Sequence, residues 1–261
     1  PFSPQTVCSG SPITTISPTG TVAGTTFTWT RDNLVNVTGM PASGNAPIAG
    51  TLVNNTNVAQ NVIFTITPTA NGCNGTPINV TITVNPQPVV TATPNSQTIC
   101  SGTAITPIAF TSNVAGTTYA WTRSNTANVT GIAAPGTGTP VSGTLTNTTT
   151  SLQATTFSIV GTAAGCAGPA STAVVNVQAP LVLTCPSNIT VNAAPNSCSA
   201  VVTYSATVTG TPAPTVTYVP ASGSTFPIGT TTVNVTATNS CGTRTCSFTV
   251  TDLDVQIPNI T

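Results

Sequence analysis

QTVCSGSPITTISPTGTVAGTTFTWTRDNLVNVTGM, residues 5–40, returns as QTICSGTAITPIAFTSNVAGTTYAWTRSNTANVTGI, residues 97–132. Cys8, Trp29 and Arg31 recur as Cys100, Trp121 and Arg123, each 92 positions on. After a one-residue insertion the offset is 93, as in Leu52 to Leu145 and Cys73 to Cys166. A repeat this long is a whole small domain rather than one turn of a solenoid. Within it the apolar residues alternate. Phe27 and Trp29 share one face, as do Val62, Phe64 and Ile66, and the run Ile78, Val80, Ile82, Val84 alternates with Asn and Thr. The second copy keeps this phase with Tyr119 and Trp121, Phe157 and Ile159, and Ala173, Val175 and Val177. Period two is the signature of strands with one buried face, and Thr and Val suit half-buried pleated positions. The 21 glycines and 23 prolines punctuate turns. No segment shows a helical period. About seven short strands in some 85 residues fit an immunoglobulin-like β-sandwich.

The expected fold is therefore all-β: three tandem immunoglobulin-like sandwiches in an extended rod, over residues 1–90, 91–180 and 181–261. Trp29, Trp121, Phe64, Phe157 and Phe248 are the expected core anchors, an exposed sugar-stacking role for the tryptophans being the alternative. NPQPVVTATPNS (85–96) and VQAPLVLTCP (177–186) read as short, proline-bearing, semi-rigid connections between domains.

Composition removes whole classes of function. Charged residues make up 2% of the chain, three Arg and three Asp with no Lys, Glu or His, where about a quarter is usual. Nucleic-acid binding needs a cationic footprint that is missing. General acid–base catalysis lacks its usual side chains, so no catalytic residue, cofactor or metal site is assigned and the chain is read as non-enzymatic. Without lysine there is no Lys–Asn isopeptide cross-link. No apolar run approaches the roughly 20 residues of a membrane span. Arg31 and Asp32, adjacent in sequence, read as a small surface ion pair. Asp252 and Asp254 read as a solvated linker, with calcium the sharper alternative. The Asn-x-Ser/Thr sequons, among them Asn36, Asn54, Asn74, Asn79, Asn128, Asn147, Asn188 and Asn234, read as chance products of an Asn- and Thr-rich chain.

Eight cysteines without histidine read as four disulfides. In such a sandwich the first and last strands run parallel, so the chain enters beside the turn that precedes the last strand. That geometry pairs Cys8 with Cys73 and Cys100 with Cys166. Among Cys185, Cys198, Cys241 and Cys246 three connectivities are open. The same geometry favours Cys185 with Cys246, which leaves Cys198 with Cys241.

ICSGTAI, AGTTYAWTR, GTLTNTT and AAGCAG, with their counterparts in the first copy, resemble the PKD-like repeats of giant surface proteins of Bacteroidota. CPSNITVNAAPNSCSAVVTY, SGSTFPIGTTTVNVTATN and CSFTV (within 183–255) look like a HYR, or hyalin repeat, domain. TGTPAP stands where many bacterial members carry Asp-Asn-Cys, and Cys241 reads as a replacement for that lost cysteine. The resemblance implies a secreted or cell-surface array, as in stalks of gliding-motility adhesins exported by the type IX secretion system. The expected role is a non-catalytic stalk segment of an adhesin or extracellular filament, its partners the neighbouring repeats of a long chain. A glycan-binding accessory module, with Tyr204 and Tyr218 as candidate contacts although alternation makes at least one of them core, and a self-associating fibre subunit are the alternatives. QIPNIT (256–261) resembles PLVLT before Cys185 and reads as the approach to a further domain, with the natural chain continuing past both ends.

Overall fold

The computed structural model describes residues 2–193 and 197–255. Its described residues are strands, turns and extended connections. The alternating sequence folds as its period requires. In the strand Gln60–Ala70 the residues Val62, Phe64 and Ile66 point inward, and in Ile78–Asn85 so do Val80, Ile82 and Val84. These strands pair antiparallel, and Thr26–Arg31 adds to the far edge of Gln60–Ala70. The first strand, Gln5–Cys8, lies parallel to the last, with Gln5 opposite Ile82 and Cys8 opposite Asn85. The opposite layer is thinner: Val37–Thr38 pairs Val53–Asn54, with single bridges from Pro12 to Thr51 and Ile16 to Ile48. Between the layers lies a core containing Ile16, Trp29, Val37, Leu52 and Phe64.

The second copy repeats the main sheet of this plan. Ser96–Ile99 runs parallel to Ser171–Val177, which pairs Gln153–Ala163, which pairs Thr118–Arg123. Its separate core holds Trp121, Val129, Leu145 and Phe157. Trp29 and Trp121 are buried, each with its ring tilted on a phenylalanine, Phe64 and Phe157 at 5.3 and 5.5 Å between centroids. Gly44 and Gly136 lie under these rings, where any Cβ would strike the indole. The third domain is a four-stranded sheet in the order Ile189–Asn192, Gly242–Leu253, Gly229–Asn239, Thr215–Val219. The pair Ser199–Val202 and Ser224–Pro227 lies off this sheet. Phe226 and Phe248 are buried in its core.

The connections do more than space the domains. Val90–Thr93 is a strand of the second domain, paired with Ala109–Ser112, and Val90 and Ala92 are buried in the second core. Val182–Thr184 pairs Thr207–Thr209, and Leu183 packs on the third core. Each linker thus completes the sandwich that follows it. Gly168 shows how closely the first linker is seated: a Cβ there would run into the carbonyl oxygen of Pro88. The same position in the first domain, Gly75, meets only the ring of Pro68 at 3.1 Å. Gly168→Ala should destabilise the second domain by about 2–3 kcal/mol, the cost of overpacking against fixed backbone, and Gly75→Ala by under about 1 kcal/mol. Thermal denaturation of the two variants checks this; equal losses would mean that the linker is not seated as described.

Candidate functional site: the covalent domain junctions

Parallel pairing of the first and last strands decides where each cysteine lies. Cys8 ends its strand, opposite Asn85, at the far end of the last strand. Cys73 lies in the hairpin that precedes that strand, paired with Ala70. The strand Ile78–Asn85 separates them, on the order of 25 Å at strand rise, against a Cα separation of under about 7 Å that a disulfide needs. The expected Cys8–Cys73 bond is therefore corrected. Cys8 bonds Cys166, in the corresponding hairpin of the second domain. Cys100 likewise follows its strand, whose last residue Ile99 opposes Val177, and it bonds Cys241 of the third domain rather than Cys166. Cys198 is consequently not joined to Cys241; it and Cys73 are free and exposed. Cys185 is bonded to Cys246 within the third domain. It lies before its strand, on the register in which Ile189 opposes Val250, so here entry beside the last strand does hold.

Two junctions follow, each between the far end of one domain and the hairpin of the next. At the first, the Asn85 amide donates to the Ala164 carbonyl at 3.3 Å and the Asn113 amide to Asn57 Oδ1 at 2.6 Å. Asn113 Oδ1 in turn accepts from the Val89 N–H at 2.7 Å, fixing the linker. At the second, the Ala179 N–H donates to Thr211 Oγ1 at 2.6 Å, and Ala179 and Leu181 are buried. A cavity of about 100 Å³ there is lined by Cys100, Cys241 and Arg244 among others. Arg244 is the one charged side chain in that lining. Among the described residues no group of three or more His, Cys, Asp or Glu could hold a metal ion.

Several polar residues are internal where the sequence placed them outside. Arg31 and Arg123 are buried. Arg31 donates to the carbonyls of Val37, Met40 and Pro41 at 2.6 to 3.2 Å. Arg123 donates to Ile132 and Val129 at 3.1 and 2.8 Å and to Thr155 Oγ1 at 3.4 Å. Burial lowers the pKa of both guanidinium groups, with Asp32 opposing the shift at Arg31. The surface ion pair is thus corrected: the shared unit is the arginine alone, which ties a glycine-containing loop to the sandwich. Asp32 accepts from the Ile63 N–H at 2.7 Å.

The sequons at Asn54 and Asn147 are not chance. Each buried Asn amide donates to the last strand, at Val84 and Val177 respectively, while its oxygen accepts from the N–H and hydroxyl of the Thr two residues on. The Asn-x-Thr spacing, repeated at offset 93, was the signal available in the sequence.

Tyr204 and Tyr218 pack on the third core, 5.6 Å apart between ring centroids. Their hydroxyls are engaged, Tyr204 donating to the Pro220 carbonyl and Tyr218 accepting from the Ala206 N–H. Burial, then the neighbouring Tyr218, raises the Tyr204 pKa. They are not the exposed platform that a glycan module needs.

Asp252 belongs to the strand Gly242–Leu253 rather than to a linker, and is buried. Both carboxylate oxygens lack a hydrogen-bond partner among the described residues. It takes the inward-facing place near the end of the last strand that Val84 and Val177 hold in the other domains. Asp252→Val should therefore stabilise the third domain by about 1–3 kcal/mol; a lower melting temperature in differential scanning calorimetry would show that the carboxylate is satisfied. The QIPNIT segment lies outside the described residues.

The profile of the PKD-like domain matches residues 5–88 and 97–180, and that of the HYR domain residues 175–251. No curated protein matches the chain. Among solved structures, the titin fragment I67–I69 is similar at 14% identity and a TM-score of 0.47, over 96% of this chain and 95% of that one. Mouse cadherin-23 EC22–24 is similar at 15% identity and a TM-score of 0.38, over 97% of each chain. The eight-domain fragment of Down syndrome cell adhesion molecule is similar at 12% identity and a TM-score of 0.48, over 96% of this chain and 36% of that one. Three disulfides mark a chain that matures in an oxidising, extracytoplasmic setting. The chain belongs to the PKD-like domain family, with two copies in tandem followed by a HYR domain.

Proposed function

We propose that this chain is a non-catalytic stalk segment of a large secreted surface protein, an adhesin or filament of the Bacteroidota type, whose task is to hold a binding end away from the cell. The observation that carries this reading is the pair of disulfides that cross the domain junctions, Cys8–Cys166 and Cys100–Cys241. A disulfide inside a domain stabilises that domain. One that joins the end of a domain to the start of the next restrains their separation and relative movement, which serves reach and load. Secretion by the type IX system belongs to the same proposal and rests on the repeat types alone.

Spacer function depends on length and stiffness and not on surface chemistry, and that is its test. In the parent protein, exchanging residues 5–251 for an unrelated three-domain immunoglobulin-like rod should keep cell adhesion within about twofold. Excising the second domain and joining the others should reduce it. Loss of adhesion with a rod of equal length would overturn the spacer reading in favour of direct binding by these domains.

A further inference from the structure

The third domain leaves open an edge that the first two close. In each repeat the strand carrying the core tryptophan, Thr26–Arg31 or Thr118–Arg123, is covered on its outer side by one more antiparallel strand. Ser43–Asn45 sets Gly44 opposite Trp29, and Gly136–Thr137 sets Gly136 opposite Trp121. These covering strands are three and two residues long, contain glycine and have Pro47 or Pro135 close by, which blunts the edges they form. In the third domain the corresponding strand is Thr215–Val219, which pairs Gly229–Asn239 on one side. Among the described residues no strand pairs its other side. The reason lies in the connection that follows. After Val219 the chain turns at once to Ser224–Pro227, which pairs Ser199–Val202 in the other layer, and does not come back along the edge.

Nothing on this strand deters pairing. Its sequence, TVTYV, has no charge, glycine or proline, and Val, Thr and Tyr favour extended, paired backbone. Thr215, Thr217 and Val219 are exposed, Val219 by 67%, while Val216 and Tyr218 pack on the core. Both ends of the strand are held. Before it, the Asn239 amide donates to the Pro212 carbonyl at 2.9 Å. After it, the Tyr204 hydroxyl donates to the Pro220 carbonyl at 2.7 Å, and Ser222 Oγ bonds the backbone of Tyr204. The edge is therefore presented ready-made, and pairing carries little cost of ordering.

We propose that this edge is an interface between two copies of the chain, each adding Thr215–Val219 to the other by antiparallel strand addition. Antiparallel pairing is how the covering strands seat in the first two domains. It also makes the strand its own complement. With Thr217 opposite Thr217 of the second copy, Thr215 meets Val219 and Val216 meets Tyr218. The exposed face then carries only Thr and Val, the apolar inner faces become contiguous, and no charge opposes a like charge. Two four-stranded sheets become one. A two-fold contact of this sort closes on itself, so its product is a dimer of chains side by side and not a fibre. Five residues make a small interface, and the dimer is correspondingly weak. Pairing goes beyond the stalk reading and stands apart from it, since a segment that does not pair still spaces.

The test is sedimentation equilibrium over a concentration series, with the exposed thiols of Cys73 and Cys198 alkylated so that no covalent dimer forms. The expected result is a monomer–dimer equilibrium. Thr217→Lys places lysine against lysine and should weaken association about fivefold or more, as should Thr217→Glu. Mixing the two variants places lysine against glutamate and should restore association to within about twofold of the parent chain. The mixture reads pairing rather than folding, because a variant that fails to fold is not rescued by another. A chain that stays monomeric up to about 1 mM would overturn the proposal. So would single variants that dimerise as tightly as the parent, or a mixture that associates no better than its components.

Discussion

Pulled by its ends in an oxidising buffer, this chain should extend to about 150 Å and no further; in reductant it should extend to roughly 900 Å. The difference follows from the covalent graph. With the bonds Cys8–Cys166 and Cys185–Cys246 in place, the shortest path from Pro1 to Thr261 runs 1–8, crosses to 166, runs to 185, crosses to 246 and ends at 261. That is roughly 40 residues at 3.3–3.6 Å each plus two short crossings. The segments 9–165 and 186–245 lie outside the path, so unfolding them cannot lengthen the chain. If the cysteines were paired within domains, the segment 73–100 would join the path and the limit would be about 240 Å. Single-molecule force spectroscopy separates the three values, and a limit near 240 Å in the oxidised chain would refute the crossing arrangement. Mechanically, the crossing bonds make the chain close to inextensible, whatever the folding stability of the individual domains.

Arg123→Met should destabilise the second domain by about 3–4 kcal/mol. The guanidinium serves the carbonyls of Val129 and Ile132 and the hydroxyl of Thr155, all from a buried position. Removing it strands those acceptors, at about 1–3 kcal/mol for each one left unpaired. It also frees the loop 129–132, whose Gly131 has φ +117 and sits so close to the Thr144 carbonyl that no Cβ fits. Arg123→Lys should recover only part of the loss, because a single ammonium lacks the planar fork that reaches two carbonyls at once. Amide hydrogen exchange in the strand Gln153–Ala163 reads the effect within that domain. A loss below about 1 kcal/mol for the methionine variant would mean that water replaces the guanidinium. Arg31→Met should act in the same way on the first domain.

The sandwich was legible because it rests on local alternation. Val62, Phe64 and Ile66 point inward for the reason their spacing suggests, and Trp29 and Trp121 recur because each fills the same core beside a glycine. The cysteine pairing was not legible, for a reason that is geometric. Parallel first and last strands bring Cys185 beside Cys246 because Cys185 precedes its strand, but Cys8 and Cys100 end theirs and so face the next domain. A shift of seven residues along the strand register moves a thiol from one end of the sandwich to the other. Sequence spacing alone does not say where a strand four residues long begins. Arg31 was misread because Asp32 beside it supplied a ready partner, whereas the true partners are backbone carbonyls, which carry no residue-type signal. The seating of the linker was not legible for a related reason: Val22 and Val114 are the same residue at the same place in the repeat, yet Val22 is 50% exposed and Val114 8%.

The stalk reading stands on disulfides that cross from domain to domain, and peptide mapping tests them most directly. The monomeric chain, alkylated without reduction and digested with pepsin at acid pH to suppress exchange, should yield linked peptides joining Cys8 to Cys166, Cys100 to Cys241 and Cys185 to Cys246, with Cys73 and Cys198 alkylated. Recovery of Cys8 linked to Cys73, or of Cys100 linked to Cys166, would contradict it.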